Sequence, residues 1–413
     1  MNKLRYLPIG IQTFEKIRVD NAVYVDKTQF IEELTRYKCP YFLSRPRRFG
    51  KSLFLSTLRS YFEGRKDLFE GLAISKTETE WKQYPVFYFD FTGKSYETVD
   101  DVILKIGDTL SGLEKIYGKK TESSDIAIRF KNLIEAAYEK TGSQVVVLVD
   151  EYDKPLLQNV DNPEVEEKIR SILKGFYGNL KGEDQYLKFV FITGVTRFDK
   201  VSIFSDLNNL NDISLSETYS AICGISQEEL EANFAPEIEN MAEKNGYTKE
   251  ECIARLKKNY DGYHFSKILN NDIYNPFSLL KAFSDLSFGS YWFSTGTPTF
   301  LTKMMLDMSF DYKSLEEGID VDSRSLEEYR LNATEPVPLL YQTGYLTIKD
   351  YERDFDSYTI GVPNEEVKFG MYKRLLPLYL GYPIAYQNDG RKIVKVGVNY
   401  SSEEKQLTEW VIE

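Results

Sequence analysis

Histidine is nearly absent from this chain. Its one histidine, His264, excludes sites built on two or more imidazoles, such as the H-E-x-x-H metalloprotease helix. A histidine-dependent triad would have to use His264, and no convincing nucleophile elbow accompanies it. Cysteine is scarce as well. Cys39, Cys223 and Cys252 are odd in number and far apart, so they form neither a disulfide framework nor a zinc-spaced cluster. They read as buried small hydrophobes. No apolar run approaches the length of a membrane span, and Met1-Asn2-Lys3-Leu4-Arg5-Tyr6 lacks the apolar core of a signal peptide. The expectation is a cytoplasmic protein with no membrane partner. Positive charge is in deficit: 52 Lys and Arg against 64 Asp and Glu leave a net charge of −12. Such a surface disfavours nonspecific attraction to nucleic acid. There is no low-complexity segment and no clear internal repeat.

What the chain does have is one phosphate-binding pattern. The apolar run Tyr41-Phe42-Leu43 leads into Arg45-Pro46-Arg47-Arg48-Phe49-Gly50-Lys51-Ser52, and Leu53-Phe54-Leu55-Ser56-Thr57-Leu58 follows. This predicts a strand, a tight loop and a helix. Backbone N–H groups at a helix start, a lysine for β/γ-phosphates and a hydroxyl for Mg²⁺ are what a nucleotide's phosphates require. Gly50, Lys51 and Ser52 fill those roles, and Arg47 and Arg48 are candidates either for further phosphate contacts or for work in trans. The pattern departs from consensus at Arg45, where a glycine is expected, and Pro46 stiffens the turn. Arg45, Arg47, Arg48 and Lys51 make the densest basic cluster, and the phosphates are expected to occupy it.

A second element completes the pattern. Val145-Val146-Val147-Leu148-Val149 is a continuous apolar run, as in a buried parallel strand, and it ends in Asp150-Glu151. Ligands bind outside the carboxyl ends of such strands. Asp150 is placed to support Mg²⁺ and Glu151 to polarise the attacking water.

Strand candidates at 40–44, 85–91, 145–150 and 187–193 alternate with helical patterns near 51–63, 98–117, 124–141 and 164–181. That alternation predicts a parallel sheet covered by helices. Asp90 falls near the end of its strand, either beside the site or capping a turn. The strand at 187–193 ends in Thr193-Gly194-Val195-Thr196-Arg197. Thr193 is a candidate γ-phosphate sensor, and Arg197 a candidate for stabilising charge on that phosphate. The alternation stops near residue 215. Ser226-Gln227-Glu228-Glu229 has capping-box spacing, helical patterns continue near 236–246 and 248–259, and Asn275-Pro276 opens another helix. Residues 341–362 read as a hairpin around the acidic turn Glu352-Arg353-Asp354-Phe355-Asp356. With preceding helices they suggest a small winged-helix-like module, whose acidic tip disfavours DNA and suits protein docking or a lid. At 413 residues the chain holds two or three domains. The expected division is a P-loop NTPase α/β domain at 1–215, a helical lid at 216–290, the winged-helix-like α+β module at 291–381 and a tail at 382–413.

Several segments together resemble one family. They are Leu7-Pro8-Ile9-Gly10-Ile11, Val25-Asp26-Lys27-Thr28, Ser44 through Ser52, Asp150-Glu151-Tyr152-Asp153-Lys154-Pro155, Thr193 through Phe198, Tyr260-Asp261-Gly262-Tyr263 and Pro363-Asn364-Glu365-Glu366-Val367. The resemblance is to the AAA-ATPase-like bacterial family, whose members usually carry a C-terminal PD-(D/E)XK nuclease domain. It spans nearly the whole chain, and an altered first glycine is part of the family pattern. It implies a P-loop NTPase using ATP and Mg²⁺, with Gly50, Lys51, Ser52, Asp150 and Glu151 as nucleotide-site residues. The end departs from the family. Leu380-Gly381-Tyr382-Pro383 runs almost directly into Asp389 through Tyr400, which resembles only the last strand and tail of the nuclease domain. Residues 382–413 thus read as a nuclease remnant, and nuclease activity is not expected.

The expected function is a slow Mg²⁺-dependent ATPase that couples nucleotide state to conformation. The alternatives are a nucleotide-gated interaction module with little turnover, or a DNA-processing ATPase that has lost its nuclease. The expected partners are the nucleotide and a protein partner or a second copy of the chain. Nucleic acid is unsupported by the charge.

Overall fold

Every side chain of Val145–Asp150 is buried. Five consecutive apolar residues, four of them β-branched, suit a strand covered on both faces. In the computed structural model this strand, β3, belongs to a five-stranded sheet. The structure describes residues 5–197, 203–269, 271–294, 318–327, 336–380, 393–401 and 404–412. Phe198 and residues 381–392, which entered the sequence reading, lie outside these. The chain divides into two units, Met1–Tyr372 and Lys373–Glu413.

The sheet of the first unit is built from β1 (Tyr41–Ser44), β2 (Val86–Asp90), β3, β4 (Leu187–Gly194) and β5 (Asn211–Asp212). Their spatial order is β2-β3-β4-β1-β5, and every pairing is parallel. β4 therefore stands between the strand that precedes the Arg45–Gly50 loop and the strand that ends in Asp150. Ser44 is in register with Gly194, and Val149 with Ile192. The loops leaving β1, β4 and β3 consequently open side by side at one edge.

Helices cover both faces. On one, Val99–Tyr117, Ile126–Thr141 and Pro163–Gly182 pack against Phe87, Phe89, Val147 and Val149. Phe89 meets Phe130 and Phe176 edge-on at 5.4 and 5.2 Å, and those two rings stack at 4.4 Å. On the other, the helix Lys51–Phe62 sets Phe54 against Phe191 and Phe62 against Phe189. Fully buried aromatics of this size supply much of the apolar area that holds such a sheet.

A second core lies in the helices Gln227–Asn245, Lys249–Tyr260 and Pro276–Asp285, where Leu230, Phe234, Ile238, Leu256 and Phe283 pack together with Val23 of the N-terminal segment. The Ser226–Glu229 capping box forms: Glu229 N–H donates to Ser226 Oγ, and Ser226 N–H donates to the Glu229 carboxylate. The helix it opens kinks at Phe234, just before Pro236, because proline lacks the N–H and crowds the preceding turn. Lys27 Nζ lies 2.6 Å from both oxygens of that Glu229, which ties the Val25–Thr28 segment to the helix start. Asn275 caps the last helix by accepting from the N–H groups of Phe277 and Ser278.

β6 (Ile225–Ser226) pairs antiparallel with β7 (Ile273–Tyr274), and the expected hairpin forms between β9 (Thr347–Glu352) and β10 (Ser357–Gly361), with Tyr351 opposite Tyr358. β8 (Ile319–Asp322) adds to the other edge of β10, giving a three-stranded antiparallel sheet. The helices Ser323–Glu327 and Val337–Thr343 accompany it, and a long helix begins at Glu365. His264 is structural here. Its Nδ1 lies 3.0 Å from the Ile348 carbonyl oxygen and its Nε2 2.7 Å from Asp272. The second unit holds an antiparallel hairpin, Ile393–Ser401 with Glu404–Ile412. Among the described residues, no helix is long and apolar enough to cross a membrane.

Candidate nucleotide site

The loop between β1 and the helix Lys51–Phe62 forms one wall of a cavity of about 580 Å³. Gly50 caps the helix at φ +96°, backbone that an L side chain rarely adopts. Arg48 also sits in the left-handed region, at φ +69°. These turns bring Gly50, Lys51, Ser52 and Leu53 to the cavity together with the exposed side chains of Arg47 and Arg48. A helix N-terminus with free N–H groups carries partial positive charge, which favours an anion in front of it.

Lys51 is nearly fully buried. Its Nζ donates to the carbonyls of Arg45 and Pro46, at 2.8 and 3.0 Å, so the ammonium rests on its own loop. Burial pulls its pKa down, and the nearby carboxylates of Glu151 and Asp150 oppose that pull. Removing an ammonium from water without full compensation disfavours its charged form. A polyanion entering the cavity would restore the missing compensation.

Arg45 corrects the sequence reading. It does not join Arg47, Arg48 and Lys51 at the cavity. Its side chain turns into the interior, 1% exposed, where Nη1 donates to the carbonyls of Ser44 and Ser214 and Nη2 to that of Tyr219. The guanidinium also lies 4.2 Å from the centre of the Phe265 ring. An arginine thus replaces the consensus glycine as an internal strut of the loop, because three backbone acceptors beside it need donors.

Opposite the loop, Glu151 lines the cavity. It stands at φ +52°, a costly conformation for a side chain with a Cβ. The turn is held there by Tyr152 N–H donating to the Thr193 carbonyl and Lys154 N–H to the Glu151 carbonyl. Burial raises the pKa of Glu151; Lys51 opposes the shift, while Asp150 and Asp153 add to it. Asp150 is buried at the end of β3, and Thr193 Oγ1 donates to its Oδ1 at 2.8 Å. Asp90 caps a turn, accepting from the N–H and hydroxyl of Thr92, and Thr92 itself lines the cavity.

Lys51, Ser52 and Glu151 line one cavity; Asp150 is buried and does not line it, but lies close enough to act on Lys51. Two expected residues stand apart. Thr193 is fully buried behind Asp150, and it does not line the cavity. Arg197 is buried in a different place: Nε and Nη2 lie 3.0 and 2.6 Å from Asp212, and its N–H donates to Gln342 Oε1. β4's tip points them behind the loop rather than across it.

Three contributions had weak sequence signals. Asp153 accepts from the N–H groups of Val195 and Thr196 and from the Thr196 hydroxyl, fixing the loop after β4. Its marks in the sequence were a third acid three residues after Asp150 and a place in the segment Asp150–Pro155 that carries the resemblance. Pro8, Ile11, Phe277 and Leu280 give the cavity an apolar wall, with the Arg48 guanidinium 4.8 Å from the Phe277 ring. Trp292, Thr343 and Tyr345 also line it, although they lie more than 240 residues from Lys51. Only folding brings them there.

A parallel α/β sheet in which a helix-capped, lysine-bearing loop faces a carboxylate-tipped strand two places away is a P-loop-like α/β arrangement. The family described as "Predicted AAA-ATPase" matches residues 8–204, which hold Gly50, Lys51, Ser52, Asp150 and Glu151. A relative from Azotobacter chroococcum mcd 1, described as an uncharacterized protein in the vnfD 5' region, is 40% identical over 380 residues, covering 91% of this chain and 71% of its own length. The chain is of one family with this relative, and its residues 8–204 match the predicted AAA-ATPase family.

Proposed function

We propose that the chain binds ATP with Mg²⁺ in the 580 Å³ cavity and hydrolyses it slowly, coupling nucleotide state to conformation. The observation that carries this reading is the convergence of Lys51, Ser52 and Glu151 on one cavity walled by a helix N-terminus. Lys51 would exchange the carbonyls of its own loop for β/γ-phosphate oxygens. Gly50 and the first helical N–H groups would hold the phosphates, and Arg47 and Arg48 would add contacts from the exposed side. The purine would lie against Pro8, Ile11, Phe277 and Leu280, a largely apolar wall as base-binding pockets usually have.

The Ser52 hydroxyl and the Asp150 carboxylate are hard oxygen donors, the set that Mg²⁺ takes. A bound Mg²⁺ would neutralise charge developing on the phosphate oxygens. Glu151 would orient water and accept its proton, a role that its raised pKa suits. Thr193 would hold Asp150 in place. Arg197, ion-paired to Asp212, is not assigned a step. Most of the rate would come from positioning and electrostatics.

The same cavity favours a second reading, a nucleotide-gated module with little turnover. Trp292, Thr343 and Tyr345 face the loop from outside the sheet, so nucleotide binding there would bear on the β8–β10 region. We read that region as a winged-helix-like module and the hairpin Ile393–Ser401/Glu404–Ile412 as a nuclease remnant. The test is calorimetric MgATP binding and phosphate release by the wild type and Lys51→Ala. Turnover lost in the variant establishes the ATPase. Binding without turnover favours the gated module. No binding by either protein overturns both.

A further inference from the structure

The phosphate-binding loop is held from outside the sheet by one tryptophan. Trp292 Nε1–H donates to the carbonyl of Arg47 at 3.1 Å, and the ring lines the cavity. The backbone N–H of the same residue donates to Glu366 Oε1 at 2.7 Å. Glu366 is buried in the first turn of the helix Glu365–Leu380. The neighbouring Phe293 packs so tightly on this helix that a Cβ at Gly370 would come within 2.3 Å of its ring. Tyr345 meets both rings, at 5.1 Å from Trp292 and 5.6 Å from Phe293. Pro46 closes the contact from the loop side, since a Cβ at Gly344 would come within 2.7 Å of it.

We infer that Trp292 is a positioning residue of the nucleotide site, a relay that reads the state of the loop at Arg47 and passes it through Glu366 to the helix beginning at Glu365. This rests on the nucleotide reading above. The physical reason is local. Two of the three Lys51 Nζ donors are held by the carbonyls of Arg45 and Pro46, so a phosphate that draws Nζ onto its own oxygens frees one or both of those peptides. Arg47 is the next residue, and its carbonyl is the one Trp292 holds. A loop that rearranges must either carry the indole along or break its hydrogen bond. Interfaces packed this tightly shift between discrete arrangements rather than deforming gradually.

The test uses the full chain. In a Trp81→Phe/Trp410→Phe background Trp292 is the one remaining tryptophan. MgATP is titrated while binding is followed by calorimetry, Trp292 by its emission, and residues 366–371 by amide hydrogen exchange. The relay predicts that emission and exchange both change with the calorimetric midpoint. It also predicts that Trp292→Phe weakens MgATP binding by about fivefold to tenfold, as for one lost hydrogen bond, and abolishes the exchange response at 366–371. Calorimetric binding with unchanged emission or unchanged exchange overturns the relay and leaves the nucleotide site standing. So does an exchange response that survives in Trp292→Phe. The reporter arm leaves the relay residues intact, so it decides the matter even if Trp292→Phe does not fold. Absence of MgATP binding by the wild type overturns the site and the relay together.

Discussion

Thr193 Oγ1 donates a 2.8 Å hydrogen bond to Asp150 Oδ1, across the tips of two adjacent parallel strands. The threonine thus fixes which way the carboxylate presents its remaining lone pairs. Thr193→Val should keep the fold, since valine fills the same volume, but leave Asp150 without its donor. We expect a higher Mg²⁺ requirement and about tenfold lower kcat, in line with the loss of one charge-assisted hydrogen bond. Thr193→Ser should recover most of it. A Mg²⁺ titration of phosphate release checks this, and equal Mg²⁺ curves for valine and wild type would remove Thr193 from the site.

Glu151 faces the cavity from a strained turn. Glu151→Gln keeps its shape and removes its basicity. Turnover should fall by about 10²–10⁴-fold, the range for a lost general base, while MgATP binding measured by calorimetry stays within a few fold. Turnover near that of the wild type would move the water-orienting role elsewhere.

Arg45 occupies the position of a consensus glycine, yet it bonds three carbonyls in the interior. Arg45→Gly, which restores the consensus, should therefore destabilise the protein. Losing donors to buried acceptors and the contact with Phe265 should cost about 2–5 kcal/mol. Urea denaturation measures it, and an unchanged midpoint would contradict the strut.

Burial raises Glu366 from 4.5 to about 7, opposed by the hydrogen bond its carboxylate accepts from the Trp292 N–H. The folded state therefore holds this proton more tightly than the unfolded chain. Its stabilising contribution is fully present below pH 4.5 and is lost as pH rises to about 7. Glu366→Gln keeps an acceptor for Trp292 and cannot ionise. Its urea midpoint should decline less than that of the wild type across this window, and parallel pH curves would refute the assignment. Asp261, raised to about 7 by burial, contributes the same trend in both proteins.

The strands, the helices beside them, the helix start at Gly50-Lys51-Ser52 and the strand end at Asp150-Glu151 were legible in the sequence. The reason is that these signals are local. An apolar run makes a buried strand, and a glycine before a lysine makes a helix start, whatever lies elsewhere. The tertiary structure decided everything that depends on which chain segments become neighbours. The order β2-β3-β4-β1-β5 put Thr193 behind Asp150 and carried Arg197 to Asp212. The carbonyls of Ser214 and Tyr219 turned Arg45 inward. Packing across more than 240 residues delivered Trp292 to the loop. Side-chain direction follows from partners far away in sequence, and no spacing within a single segment encodes it.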